Sequence, residues 1–312
     1  MRKGQPTMKI KTYRDLKSKD ELLPLMDQAF RWPFNPRVFE SLVKIDPRLK
    51  DGPVGFCAIE NGRVVGFVGV LNLATKTLSG EIEHVGGIYG VATLPGYTRR
   101  GISTALMHRA HEYFKEEGYR FSFLNTSPTL IAYAFYKKLG YVDALEYPSV
   151  YKVMKAEKVK LRKTNKAVKL DLDKILRIYN KFSKDKTGFV VRDKNHLRAL
   201  KKAEGLNARN FLISRNGYVV FKKDRNGVGI REIAALTTEE TSKLIGLIEN
   251  KTKATVYDRT VLDRNILQVY KSRGYIVQKR SHDIMMVKPL TAYASLKEAY
   301  GDRFYISGLD VF

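Results

Sequence analysis

Three groups of residues in this 312-residue chain have types and spacings that could hold an anion or move a proton. The first is Thr98-Arg-Arg-Gly-Ile-Ser-Thr104, which follows the apolar run Val91-Ala-Thr-Leu94 and the turn Pro95-Gly96 and leads into a helical pattern. Helix first turns ordinarily attract Asp or Glu, because free N–H groups and the helix dipole favour negative charge there. Here the carboxylates Glu112, Glu116 and Glu117 come late. The start offers only Arg99, Arg100, Ser103 and Thr104, cations and hydroxyl donors, with Gly101 letting a ligand approach the backbone. The segment reads as strand, basic glycine loop and helix, arranged to receive an outside anion. The plainer reading is a solvated basic turn with a helix-entry glycine.

The second group is Asn125, closing the strand-like run Phe121-Ser-Phe-Leu-Asn125, together with Ala134-Phe-Tyr-Lys-Lys-Leu-Gly-Tyr141. Read from the residues alone, Tyr136 on that helix is a core ring. The third is Glu83-His84, early in the strand pattern from Glu81 to Thr93. Alternation lets only one of them face a given side, and Glu83 is carried as the candidate base, with water relays as the alternative.

In order and spacing, the basic loop and the later segment resemble the GNAT superfamily of acetyl-coenzyme A-dependent N-acetyltransferases. That family's pyrophosphate loop reads Gln or Arg, two residues, Gly, one residue, then Gly or Ala; its later segment reads Asn, then Ala, then Phe-Tyr-x-Lys-Leu-Gly-Phe. Thr98 stands where Gln or Arg is usual, and Ser103 where Gly or Ala is usual. The resemblance implies acetyl-coenzyme A as co-substrate, with its pyrophosphate at Arg99, Arg100, Gly101, Ser103 and Thr104. It further implies a pantetheine arm pairing with the backbone at Val91 and Thr93 and meeting Asn125, and Tyr136 as the acid for the leaving thiolate. The acceptor implied is a primary amine, on a small molecule or a protein.

The elements that must position these residues follow from hydrophobic period and turn signals. A first strand, Lys9 to Thr12, precedes helical patterns over Asp15 to Phe30 and Pro36 to Val43, where Phe30, Trp32, Phe34 and Phe39 could wall an acceptor entrance or simply pack together. Two β runs flank Asn61-Gly62, a strong hairpin signal. A right-handed crossover through the helix after Gly101 makes the strand ending at Thr93 and the Phe121 strand parallel neighbours, between which a cleft can open.

The second half echoes the first. Asn216-Gly217 repeats the hairpin signal, and Tyr270-Lys-Ser-Arg-Gly-Tyr275 repeats Tyr136-Lys-Lys-Leu-Gly-Tyr141. Its counterpart of the basic loop has no glycine and carries Glu239 and Glu240, which would cap a helix and repel a pyrophosphate. The expected fold class is α+β, two tandem GNAT-like domains, each a mixed, mostly antiparallel sheet flanked by helices. The boundaries expected are 1–155 for the coenzyme-binding domain, 156–290 for a degenerate second one and 291–312 for a tail packing on the body. This arrangement looks like the Eis-type acetyltransferases, whose base is a C-terminal carboxylate, but without their third domain.

Composition bounds the rest. The formal charge is +25, about +8 over residues 1–155 and about +17 over the remainder. Such a charge suits polyanions, so a non-catalytic RNA- or partner-binding protein on the same fold is the alternative function. Cys57 is the only cysteine, which excludes a disulfide framework and a cysteine zinc site and fits a reducing compartment. No apolar run is long enough to span a bilayer, a cytoplasmic protein is expected, and no metal site is expected from His108 and His111, which share a helix face without a third ligand. Oligomeric state is not legible.

Overall fold

Two apolar runs fold back on each other at Asn61-Gly62 because both residues take the left-handed backbone, φ 51° and 74°, whose twist suits a two-residue hairpin. Around this hairpin a computed structural model describes residues 8–31, 34–154, 170–225, 227–252, 254–292 and 294–312. The basic connector 155–169 and Trp32 lie outside them. The first half runs β1 (Lys9–Thr12), α1 (Leu23–Phe30), α2 (Pro36–Val43), β2 (Gly55–Glu60), β3 (Arg63–Lys76), β4 (Ile82–Thr93), α3 (Ile102–Glu116), β5 (Phe121–Thr126), α4 (Ile131–Lys138), β6 (Val142–Glu146) and β7 (Ser149–Val153). The second runs α5 (Leu172–Phe182), β8 (Thr187–Gly188), α6 (Lys194–Ala203), β9 (Phe211–Ile213), β10 (Gly217–Lys223), β11 (Gly227–Ala235), α7 (Thr238–Glu249), β12 (Thr255–Asp258), α8 (Arg264–Ser272), β13 (Ile276–Gln278), β14 (Ile284–Pro289), α9 (Leu296–Tyr300) and β15 (Phe304–Tyr305).

The first helix is shorter than the pattern from Asp15 suggested. Ser18 and Glu21 form a capping box on a single 3-10 turn, Lys19–Leu22, and the α-helix starts only at Leu23, with Pro24 in its first turn where a missing N–H costs nothing. Phe34 and Phe39 pack together at 5.5 Å against the core. The second hairpin also forms, but Gly217 has no left-handed backbone; a Cβ there would crowd Ala235, Glu240 and Leu244 at 3.0 Å. That glycine serves the fit of α7 over the sheet.

Two sheets result. One has the order β1-β2-β3-β4-β5-β14-β6, with β8 on β3 and β15 on β8; the other has the order β13-β7-β12-β11-β10-β9. Strand β14, from the second half, thus lies between β5 and β6 of the first, and β7, from the first half, lies between β12 and β13 of the second. The halves exchange interior strands, so the first two of the three expected segments each supply one to the other's sheet. The final segment packs as a buried strap: Tyr300 and Ile306 are fully buried, and Thr187 donates to the Tyr300 carbonyl at 2.6 Å. The two units follow one another along the chain as mixed sheets flanked by helices, with apolar cores on both faces of the first sheet and a third core in the second. No helix among the described residues is long and apolar enough to cross a membrane.

Candidate active site

Strands β4 and β5 run parallel and paired from Gly86↔Ser122 to Ile88↔Leu124, and then part. The parting coincides with an irregularity in β4: Phe67 and Gly69 of β3 oppose Ala92 and Tyr89, so β4 holds one residue more than its partner, at Gly90 with φ 58°. A bulge of this kind bends its strand and ends local pairing. The cleft expected from the crossover therefore opens beyond Ile88, flanked by Val91 and Thr93 on one side and Asn125 on the other.

At its outer end stands the N-terminus of α3, with four free N–H groups and no side-chain cap, and no acidic residue in the first turn. Gly101 takes φ 75° and Arg99 φ 62°, and a Cβ on Gly101 would meet no atom within 4 Å. The backbone donors thus face open space, the condition for an anion to reach them. Ser103 shares a 2.7 Å hydrogen bond with Thr93, tying the first turn of α3 to the end of β4, with Thr104 half-buried beside it. Arg100 is not free: its guanidinium bonds both carboxylate oxygens of the buried Glu60 at 2.8 and 2.9 Å and lies over the Tyr97 ring. Arg99 is exposed. Glu60 was missed in the sequence because a carboxylate at a strand end looks like any hairpin flank.

Inside the cleft, Asn125 accepts a hydrogen bond from Tyr147 at 2.5 Å, which fixes its carbonyl and leaves its buried Nδ2 donor without a partner among the described residues. An orphan buried donor carries a cost of about 1–3 kcal/mol unless a ligand or water takes it. Tyr136 packs in the core beneath α4, and no described residue hydrogen-bonds its hydroxyl. Burial pushes that hydroxyl up to about 12, so it stays protonated at neutral pH. The motif's last tyrosine, Tyr141, is an anchor, its hydroxyl shared with His111 Nε2 at 2.9 Å and Ser122 at 2.7 Å. Burial holds His111 neutral, down to about 3, as a core histidine.

Glu83 is not brought to these residues. It sits before the paired stretch of β4, eight residues short of Val91, roughly 26 Å along an extended strand. Both its oxygens are engaged, one by Arg120 at 2.8 Å and the other by the Tyr300 hydroxyl at 2.6 Å. His84 stacks on Tyr119. Strand periodicity told which face each residue takes but not how far along the strand the cleft begins. A groove of about 190 Å³ does lie near His84, lined by Arg48, Leu73, Phe189, His196 and Asp310, at the edge of β3 rather than at the cleft.

The second unit repeats the geometry with other contents. β11 and β12 pair in parallel up to Ile230↔Asp258 and part at an extra residue, Arg231. In this cleft lies the chain's own strap: a Cβ on Gly308 would come within 2.5 Å of the Arg231 carbonyl and 3.6 Å of Thr260, and about 10 Å³ of free space remains. Helix α7 is capped by Thr237 and carries Glu239 and Glu240 in its first turn. Tyr270, the counterpart of Tyr136, donates at 3.0 Å to Asp258, whose carboxyl burial lifts to about 6.

Residues 11–143 match the family model described as Acetyltransferase (GNAT) domain. Among solved structures the chain is similar to a GCN5-related N-acetyltransferase from Kribbella flavida, at 17% identity and TM-score 0.64, covering 90% of this chain and 71% of that one. It is also similar to Eis1 from Mycobacterium abscessus, at 16% and 0.57, covering 91% and 74%, and to a putative acetyltransferase from Pyrococcus horikoshii, at 16% and 0.54, covering 94% and 93%. At these identities the likeness is one of fold. No curated protein matches the sequence.

Proposed function

We propose that this chain, whose residues 11–143 match the GNAT acetyltransferase domain, transfers acetyl from acetyl-coenzyme A to a primary amine of a small-molecule or protein acceptor. What supports the reading is that one unit holds both a helix N-terminus without a side-chain cap, open at Gly101, and a largely buried tyrosine whose hydroxyl has no partner among the described residues. The residues fit the coenzyme: Gly101 and the N–H groups of α3 would take its pyrophosphate, Arg99 would add charge, and the orphan Asn125 donor would take a carbonyl of its arm. Bound, the coenzyme supplies an acetyl group activated as a thioester.

The chain's own residues do the rest. Tyr136, kept protonated by burial, holds a proton for the departing thiolate. Arg100 orders the loop through Glu60 more than it meets the ligand, so Arg99 carries the larger share of the direct attraction. The second unit, its cleft filled, contributes structure and no second coenzyme site. We place the protein in the cytoplasm, in keeping with its single buried Cys57. Calorimetry with acetyl-coenzyme A and with a single-stranded RNA across a salt series tests the proposal: one coenzyme site per chain is expected. Tight, steeply salt-dependent RNA binding without coenzyme binding would replace it with the nucleic-acid reading.

A further inference from the structure

We propose that His282, oriented by Asp283, is the base that accepts the proton of the acceptor amine, so that the exchanged strand from the second half completes the first half's active site. The inference rests on the transferase reading above. The chain has five histidines. His84 is stacked on Tyr119, His111 is locked in the core, and His196 pairs with Asp310 at 3.2 Å away from the cleft. His108 lies exposed on α3. His282 alone stands at the end of the sheet where the cleft opens, because β14 pairs with β5 in the register Ile284↔Thr126 and Met285↔Asn125. Two residues before Ile284, it lies level with the chain as it leaves β5 toward α4.

Its two nitrogens are differently held. Nδ1 is 3.1 Å from the Asp283 carboxylate, which accepts the Nδ1–H hydrogen bond and leaves Nε2 with a lone pair. Nε2 is 3.3 Å from the Ser127 hydroxyl and 3.4 Å from that of Thr129, long contacts that an incoming amine can replace. The ring is two-thirds exposed, at 66%, so an acceptor reaches it from solvent. The loop itself is pinned to the cleft: Ser281 N–H donates to the Tyr147 carbonyl at 2.6 Å, and the Tyr147 hydroxyl holds Asn125. Ser127 and Thr129 from the β5–α4 connection and Asp283 from its own loop touch the ring, and the neighbouring Arg280 lies 3.8 Å from Glu146 at the end of β6.

The step balances as follows. An ammonium acceptor gives one proton to His282 Nε2, which passes it to solvent. The freed lone pair forms the C–N bond as the C–S bond breaks, and the thiolate takes the Tyr136 proton. The second proton lost by the nitrogen as it becomes an amide restores Tyr136.

The test is the pH dependence of kcat/KM for acetyl-coenzyme A with two acceptor probes, spermidine and an alanine-initiated peptide, in wild type, His282→Gln and Asp283→Asn, with Tm and acetyl-coenzyme A Kd for each. His282→Gln should lose about 10²-fold at neutral pH, with the deficit shrinking toward high pH where the amine is already free, while Kd and Tm stay near wild type. Asp283→Asn should act in the same direction by about tenfold, as a positioning residue does. A loss that is pH-independent, or that follows a lowered Tm, assigns His282 to turn structure and overturns the proposal. Wild-type-like profiles in both variants overturn it while leaving the transferase reading intact. No transfer by the wild type to either acceptor overturns both.

Discussion

The two clefts are built by the same devices and filled differently. In each, a parallel strand pair parts beside an extra residue, near Gly90 and at Arg231. In each, the helix bearing the cleft tyrosine ends on a left-handed glycine, Gly140 at φ 88° and Gly274 at 76°. The next residue closes back at 3.1 Å, Tyr141 N–H to Tyr136 and Tyr275 N–H to Tyr270. What separates them is which polar groups are already satisfied. In the second unit Thr237 and Glu239 take the helix N-terminus, Asp258 takes Tyr270, and Gly308 takes the space between the strands. In the first, among the described residues, the helix has no side-chain cap, the Asn125 donor has no partner, and the space over Gly101 is open. Backbone geometry makes the scaffold; unsatisfied groups make the site.

The comparison can be broken hardest by separating the halves. Residues 1–154 and 170–312 expressed alone should each fail to give a cooperative thermal transition, since each sheet loses an interior strand. A folded 170–312 fragment with native-like circular dichroism would show the exchange to be dispensable. Next in size is the tyrosine pair. Tyr136→Phe should lower turnover by about 10² to 10⁴ where chemistry limits the rate, with coenzyme Kd nearly unchanged. Tyr270→Phe should leave turnover close to wild type but cost about 1–3 kcal/mol in denaturant melts, because it strips a donor from the buried Asp258. If Tyr270→Phe proves the one that stops catalysis, the clefts have been assigned the wrong way round.

Asp258 gives a pH signature of the same order. Its folded carboxyl is raised to about 6 from 3.8, so the folded state binds the extra proton between those values. Stability should therefore fall as pH rises from about 4 to 6, by up to about 3 kcal/mol, and Asp258→Asn should flatten that slope. Gly101→Val strains a left-handed position by about 1–2 kcal/mol and fills the open space, so coenzyme binding should weaken at least about tenfold while the fold survives. Smallest is Arg99→Ala, a loss of a few fold in coenzyme affinity that shrinks at high salt. Arg100→Ala should instead lower Tm, having left Glu60 buried without its cation. Titrations at two ionic strengths separate the two arginines.

Much of the first cleft was legible in the chain because its signals are local. Apolar period marked β4, β5, α3 and α4, the missing acids after Gly101 marked an anion-ready helix start, and Asn61-Gly62 marked its hairpin, each within a dozen residues. The same locality showed that α7 carries acids where α3 carries none. What lay out of reach depends on partners far along the chain. Glu83 looked available until the fold set Arg120 and Tyr300 against it, the latter 217 residues away. Arg100 looked free until the hairpin placed Glu60 beneath it. Neither the exchange of β7 and β14 nor the strap in the second cleft leaves a trace in periodicity, since a strand reads alike whichever sheet it joins. Composition and spacing determined that one helix start lacks acids and that its twin carries them; strand pairing across the two halves decided which cleft stays open and set His282 beside Ser127 and Thr129 at the end of β5.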